Sequence, residues 1–61
     1  MAEKYRVRTG DTLSSIAVQF WGHGGPENVA KIFEANRRVK GVGPTPDELE
    51  ADIEITIPDL E

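Results

Sequence analysis

The hydrophobic period changes abruptly within residues 5–20, and this change constrains the fold more than any other feature. Tyr5 and Val7 alternate with Arg6 and Arg8, which is the pattern of a half-buried strand. Apolar residues then recur at three- and four-residue intervals, the spacing of an amphipathic helix: Leu13, Ile16, Ala17 and Phe20. The sequence therefore predicts a strand at 4–8 followed by a helix at 12–21.

Two residues between these elements predict a tight reversal of the chain. Gly10 can adopt the positive φ that a sharp turn requires. Asp11 is predicted to be the N-cap of the helix, because its carboxylate can accept hydrogen bonds from the unpaired amides of the first turn. We expect this capping role for Asp11 whether or not the residue also contacts a ligand.

The rest of the chain predicts a second helix and a final strand. The helix is expected at 26–36, because Pro26 suits a first helical turn and Asn36 tolerates the left-handed conformation of a C-cap. The strand is expected at 53–57, where isoleucine alternates with polar residues. Glycine and proline interrupt the connections before and after the second helix.

Each predicted strand has one polar face, so helices should cover only one side of a small sheet. The predicted fold class is α+β, with the order β-α-α-β and two helices packed on one face of a two-stranded antiparallel sheet. A chain of 61 residues is expected to form a single domain, 1–61. Tyr5 is expected at the edge of the core, whose predicted members are Val7, Leu13, Ile16, Ala17, Phe20, Val29, Ile32, Phe33, Leu49, Ile55 and Ile57.

Charge is unevenly distributed along the chain. Residues 1–40 carry a net charge of +3, and residues 41–61 carry a net charge of −7 with no basic residue. The pI of about 4.8 and the lack of an aromatic and basic pattern argue against a nucleic-acid partner. No apolar run approaches the roughly 18 residues of a membrane span, so membrane insertion is not expected. We expect the chain to be a monomer.

No catalytic or metal-binding constellation is evident in the sequence. His23 is the only histidine, and it lies in a glycine-rich segment where a solvated side chain is expected. The carboxylates near Asp47 lie on a short segment, whereas glycoside hydrolysis needs two carboxyl groups at a fixed separation across a sugar. A calcium site there would lack the spacing and the glycine of an EF-hand loop. We therefore predict a protein that is not an enzyme and that uses no cofactor or metal.

Three motifs occur in the order that is typical of one known family of small domains. The strand before the sequence GDTL at residues 10–13 is similar to the family's opening. The triplet EAN at residues 34–36 is similar to the end of its second helix, and residues 45–58 match its closing turn and final strand without a gap. Over residues 5–58 the chain thus resembles the LysM domain, a small module that binds glycans containing N-acetylglucosamine.

This resemblance implies a shallow sugar-binding groove between the loop after the first strand and the loop before the last. Carried over by position, the glycan-binding residues would be Gly10, Asp11, Thr12, Leu13, Pro46, Asp47, Leu49, Glu50, Ala51 and Asp52. Loop amides and carbonyls can hydrogen-bond an acetamido group, and Thr12 offers a hydroxyl. The side chains of Leu13 and Leu49 either contact the sugar or belong to the core, and the sequence leaves both alternatives open.

The second loop departs from the family pattern in three ways. Thr45 stands where the family has Asn, and Ala51-Asp52 stands where it has Pro-Gly. The stretch between Asn36 and Thr45 is longer than usual. These changes make the second loop acidic. Its carboxylates would repel the stem-peptide carboxylates of peptidoglycan but not a neutral chitin chain. This repulsion is screened beyond about 8 Å at physiological salt.

Two functions are therefore in competition. The first is a carbohydrate-binding module for a glycan polymer, with peptidoglycan first and chitin second. The second is a structural or protein-interaction module of the kind found in phage tails and contractile injection assemblies. The N-terminal residues show no signal-peptide pattern. We expect the cell envelope or the exterior if the chain belongs to a longer exported protein, and otherwise the cytoplasm or an assembled particle.

Overall fold

The computed structural model describes residues 3–59. Four elements follow one another: strand β1 (Glu3–Arg6), helix α1 (Leu13–Trp21), helix α2 (Pro26–Ala35) and strand β2 (Glu54–Ile57). The strands form a two-stranded antiparallel sheet, and the two helices pack against each other and, through α2, against β2. The predicted β-α-α-β order and fold class are confirmed.

The sheet register pairs Tyr5 with Ile55 and Arg6 with Glu54. Strand β1 ends before Val7, although a strand to residue 8 was expected. The reason is a bulge, because the Val7 amide donates to the Ile53 carbonyl at 2.8 Å while the Asp52 amide donates to the Val7 carbonyl at 2.7 Å. Two residues of one strand thus lie opposite one residue of the other, which interrupts the regular ladder.

Helix α1 is capped by Thr12, so the prediction that Asp11 is the N-cap was wrong. The Thr12 hydroxyl accepts from the Ser15 amide at 3.0 Å, and the Ser15 hydroxyl accepts from the Thr12 amide at 3.0 Å. This reciprocal arrangement, a capping box, gives hydrogen-bond partners to two backbone amides that have none within the helix. The helix ends at Trp21, and its C-cap Gly22 has a φ of 76°, the left-handed conformation that glycine adopts without steric cost.

Helix α2 begins at Pro26 and has Asn36 as its C-cap, both as predicted, but the conformation of Asn36 differs from the expectation. Asn36 has a φ of −122°, so the predicted left-handed conformation was wrong. Its side chain is instead buried, with 1% of its surface exposed, and the amide nitrogen donates to the carbonyls of Ile32 and Thr56. The Asn36 carboxamide oxygen accepts from the Thr56 amide at 2.8 Å. Asn36 therefore joins the end of α2 to the middle of β2.

One apolar core fills the space between the helices and the sheet. Most of the predicted core is buried, but Phe20, Val29, Phe33 and Leu49 are only half-buried at its margin, as is Tyr5. Val42 was not predicted and is buried. In the part of the chain that the structure describes, neither helix is long and apolar enough to cross a membrane. The core consists of Val7, Leu13, Ile16, Ala17, Ile32, Val42, Ile55 and Ile57.

Candidate functional site

The loop between β1 and α1, residues 8–12, is held by a single carboxylate. The Asp11 amide donates to the Arg8 carbonyl at 3.0 Å, and the Arg8 amide donates back to Asp11 Oδ2 at 2.9 Å. The Tyr5 hydroxyl donates to the same oxygen at 2.6 Å. Gly10 lies at the tip with a φ of 92°, in open space. The Asp11 side chain therefore braces this loop instead of capping the helix.

These contacts shift the pKa of both side chains. The Tyr5 hydroxyl and then the Arg8 amide stabilise the ionised carboxylate, so the pKa of Asp11 is lowered from its ordinary value of 3.8. The hydrogen bond to Asp11, with a smaller contribution from desolvation, raises the pKa of Tyr5 above its ordinary value of 10.0. At neutral pH the pair is therefore a neutral phenol and a carboxylate, the combination that forms a strong charge-assisted hydrogen bond.

The free polar groups of this first loop are mainly on its backbone. Gly10 is exposed and has no hydrogen bond to any residue in 3–59. Leu13 has 1% of its surface exposed, so its side chain belongs to the core and only its backbone can meet a ligand. Thr12 is exposed, but its hydroxyl already accepts a hydrogen bond in the capping box and has only its proton and one lone pair left.

The second loop, residues 45–52, is held by a segment that the sequence analysis left irregular. Val42 and Leu49 form an isolated antiparallel bridge. The Gly43 amide donates to the Glu48 carbonyl and the Glu50 amide donates to the Gly41 carbonyl, both at 2.9 Å. The hydrogen bonds of this bridge are thus made by the residues on either side of Val42 and Leu49. In such a non-hydrogen-bonded pair, the amide and carbonyl of each paired residue point away from the other strand. The amide and carbonyl of Leu49 are therefore directed away from Val42.

Backbone contacts bring the two loops together at the end of β1. The Asp52 amide donates to the Val7 carbonyl at 2.7 Å, one residue before the first loop begins. The Arg6 guanidinium donates to the Asp52 carbonyl at 3.0 Å. Sequence reasoning missed this role of Arg6, as well as the Tyr5 hydroxyl and the bridge made by Val42. The sequence offers one signal for these contacts, which is the basic Arg6 together with the acidic residues of the second loop.

The side chains of the second loop make its surface strongly acidic. Leu49 and Ala51 are half-buried, and Leu49 can offer part of its apolar surface to a ligand. In the described chain Asp47, Glu50 and Asp52 have no ion pair, and Glu48 has only a weak hydrogen bond of 3.3 Å from Thr45. The exposed members of the loop are Thr45, Pro46, Asp47, Glu48, Glu50 and Asp52.

A surface depression lies elsewhere and belongs to neither loop. It is lined by the end of α2 and the turn that follows, residues Glu34, Ala35, Arg37, Arg38 and Val39. Within residues 3–59 no three His, Cys, Asp or Glu side chains are grouped so that they could hold a metal ion. Polar main-chain groups on two adjacent loops, beside a small apolar surface, are the features with which this chain can bind a polar ligand.

The structure defines the class of protein: a small β-α-α-β module in which two loops meet at one end of the sheet. The family model for the LysM domain matches residues 5–58, so the chain belongs to the LysM domain family. No curated protein and no solved structure gave a significant match. LysM domains are in general binding modules for glycans that contain N-acetylglucosamine, and they are typically not catalytic.

Proposed function

We propose that this chain is a non-catalytic module that binds N-acetylglucosamine-containing glycan, peptidoglycan first and chitin second, in the groove between residues 10–13 and 46–52. The observation that carries the proposal is the hydrogen bond from the Asp52 amide to the Val7 carbonyl. This bond places the end of the second loop beside the start of the first. The two loops can then bind one sugar together with little rearrangement, which lowers the entropic cost of binding.

The chemistry of the loops suits an N-acetylated sugar. The acetamido group has one donor and one acceptor, which the free peptide groups of Gly10 and Leu49 can pair with. The exposed part of the Leu49 side chain can pack against the acetyl methyl group. Leu13 contributes through its backbone alone, because its side chain is in the core. Without an aromatic platform in either loop, we expect weak binding at a single site.

NMR spectroscopy tests this proposal directly. N-acetylglucosamine oligomers are titrated into the labelled protein while the amide resonances are followed. We expect shifts at Gly10, Thr12, Leu49 and Ala51, unchanged by a chelator, with the amide of Asn28 on α2 as the internal reference. The absence of shifts at millimolar oligomer, together with no sedimentation on purified sacculi or chitin, would exclude the carbohydrate function.

A second function is favoured by one specific observation. Three exposed carboxylates of the second loop, those of Asp47, Glu50 and Asp52, have no partner in the described chain. Such a surface can bind a basic protein partner, as an interaction module of a phage tail or a contractile injection assembly would. Shifts of the second loop with a partner protein, and none with any glycan, would favour this alternative.

A further inference from the structure

Tyr5 connects strand β1, helix α1 and the first loop. Its backbone lies in β1 opposite Ile55, and its ring meets that of Phe20 in α1 edge to face. The ring centroids are 5.5 Å apart and the interplanar angle is 83°, a favourable geometry for an aromatic pair. The strand and the helix together thus fix the position of the Tyr5 hydroxyl.

The hydroxyl transmits this fixed position to the first loop. It donates to Asp11 Oδ2 at 2.6 Å, and the same oxygen accepts from the Arg8 amide at 2.9 Å. Without the carboxylate, the turn would keep only one internal hydrogen bond, from the Asp11 amide to the Arg8 carbonyl. A turn held by one solvent-exposed hydrogen bond samples more conformations. Asp11 therefore connects the tip of the loop to the rigid part of the fold.

We infer that Tyr5 and Asp11 are positioning residues for sugar binding: they hold the backbone of Gly10 in place for the ligand, and Tyr5 itself does not touch the ligand. This inference rests on the proposed glycan-binding function. An exposed loop that must be ordered on binding weakens affinity by the cost of its ordering. The brace from Tyr5 removes that cost before the sugar arrives. The lowered pKa of Asp11 is consistent with this role, because the hydrogen bonds from Tyr5 and Arg8 that hold the loop also stabilise the ionised carboxylate.

The substitution Tyr5→Phe tests this inference, because it keeps the ring against Phe20 and removes only the hydroxyl. We expect the amides of Arg8, Gly10 and Asp11 to shift and to exchange faster in the free protein. The affinity for an N-acetylglucosamine oligomer should fall about three- to tenfold. The shifts that the sugar induces should stay at the same residues, which shows that the sugar still binds in the same place.

Asn28→Ala is the matched control. It also removes one side-chain hydrogen bond, from Asn28 Nδ2 to the His23 carbonyl at 2.7 Å, in the connection between the helices. Both variants are compared with the parent well below their melting temperatures, so that unfolding does not contribute. We expect the Asn28→Ala protein to bind the oligomer as tightly as the parent.

The outcomes separate this inference from the proposed function. A parent protein that binds no oligomer overturns the proposed function, and the inference with it. A parent that binds while Tyr5→Phe binds equally well overturns the inference alone. Equal losses of affinity in Tyr5→Phe and Asn28→Ala also overturn it, because the effect would then be one of general stability. A loss confined to Tyr5→Phe, with local changes at Gly10, supports it.

Discussion

The Asp52 amide donates to the Val7 carbonyl at 2.7 Å, and Asp52 makes this bond from a left-handed conformation that is uncommon for residues other than glycine. Asp52 is the one described residue other than glycine with a positive φ, at 67°. It occupies the first position of a bulge opposite Val7, where glycine is the usual residue. The family's Pro-Gly pair falls at residues 51–52, so this chain has a positive φ at the position of that glycine although the glycine itself is absent.

Substitutions at Asp52 should therefore follow backbone preference. We expect Asp52→Gly to be at least as stable as the parent and Asp52→Asn to be close to it, because Asn tolerates positive φ. Asp52→Val should lose about 1–2 kcal/mol, because a β-branched residue is strained there. Chemical denaturation of the three variants checks this order. A Val variant as stable as the Asn variant would show that the left-handed conformation is not required.

Asn36→Ala should be severely destabilising. It removes three hydrogen bonds and leaves the buried Ile32 carbonyl and the partly buried amide and carbonyl of Thr56 without these partners. We expect a loss of about 2–5 kcal/mol, enough to unfold a domain of marginal stability. Asn28→Ala, which removes an exposed hydrogen bond, should cost under about 1 kcal/mol. Similar melting temperatures for the two variants would contradict the bridging role of Asn36.

The capping box of α1 gives a prediction that separates Thr12 from Asp11. Thr12→Ala should lose about 0.5–2 kcal/mol, whereas Thr12→Ser should retain most of the stability because it keeps the hydroxyl. Circular dichroism during thermal unfolding measures the difference. If Thr12→Ala melts at the same temperature as Thr12→Ser, the hydroxyl does not cap the helix.

The Tyr5–Asp11 pair predicts how stability changes with pH. The pKa of Asp11 is lower in the folded protein than its ordinary value of 3.8, so the unfolded chain binds more protons between these two values. The contribution of Asp11 is present above pH 3.8 and is lost as the pH falls through its folded pKa. The raised pKa of Tyr5 has the opposite sign: its contribution is present below pH 10.0 and is lost at higher pH, as Tyr5 ionises.

Comparing the parent with Asp11→Asn in urea across this range measures the effect. We expect the difference in unfolding free energy to be greatest near neutral pH and to shrink at strongly acidic pH, where Asp11 is protonated in the parent. Asn28→Ala is the control, because the hydrogen bond that it removes joins two uncharged groups, and its effect on stability should not shrink in this way. A difference that is constant down to pH 2 would mean that the carboxylate charge has no part in the interaction.

The acidic second loop predicts a preference among glycans. Replacing Asp47 by Asn and Glu50 by Gln should strengthen sedimentation with sacculi at low salt, because stem-peptide carboxylates are then repelled less. Binding of a neutral chitin oligomer should hardly change. The advantage over the parent should shrink at higher ionic strength, since exposed charges are screened within about 8 Å at physiological salt. A gain of equal size with both glycans would contradict an electrostatic origin.

Local patterns predicted the elements of this fold well, since their periods and turn residues depend on near neighbours. Helix α2 begins at Pro26 and helix α1 ends at Trp21, both as expected. Val42 was missed, because its burial depends on pairing with Leu49 across a turn that has no regular period. The cap position of Asn36 was predicted from local propensity, but its side-chain bridge was missed, because the partner Thr56 lies 20 residues away in sequence.

The candidate site was less predictable than the fold. Asp11 was placed correctly in the first loop, but its carboxylate bonds to Tyr5 and Arg8 and not to the amides of the helix. Both interpretations fit an acidic residue just before a helix, and the choice depends on where the strand places the Tyr5 hydroxyl. Which residues bind the sugar stays a prediction. Main-chain groups are expected to form most of the site, and residue types in a sequence say little about which main-chain groups are free.

The carboxamide of Asn36 has a consequence for self-association. By bonding to both the amide and the carbonyl of Thr56, it takes the place of a neighbouring strand along β2. Backbone groups along an antiparallel strand point alternately toward its partner and away from it, and in β1 those of Lys4 and Arg6 point away from β2. Cationic side chains at such edge positions oppose pairing with a second copy. Copies of this module brought close together should therefore resist edge-to-edge aggregation.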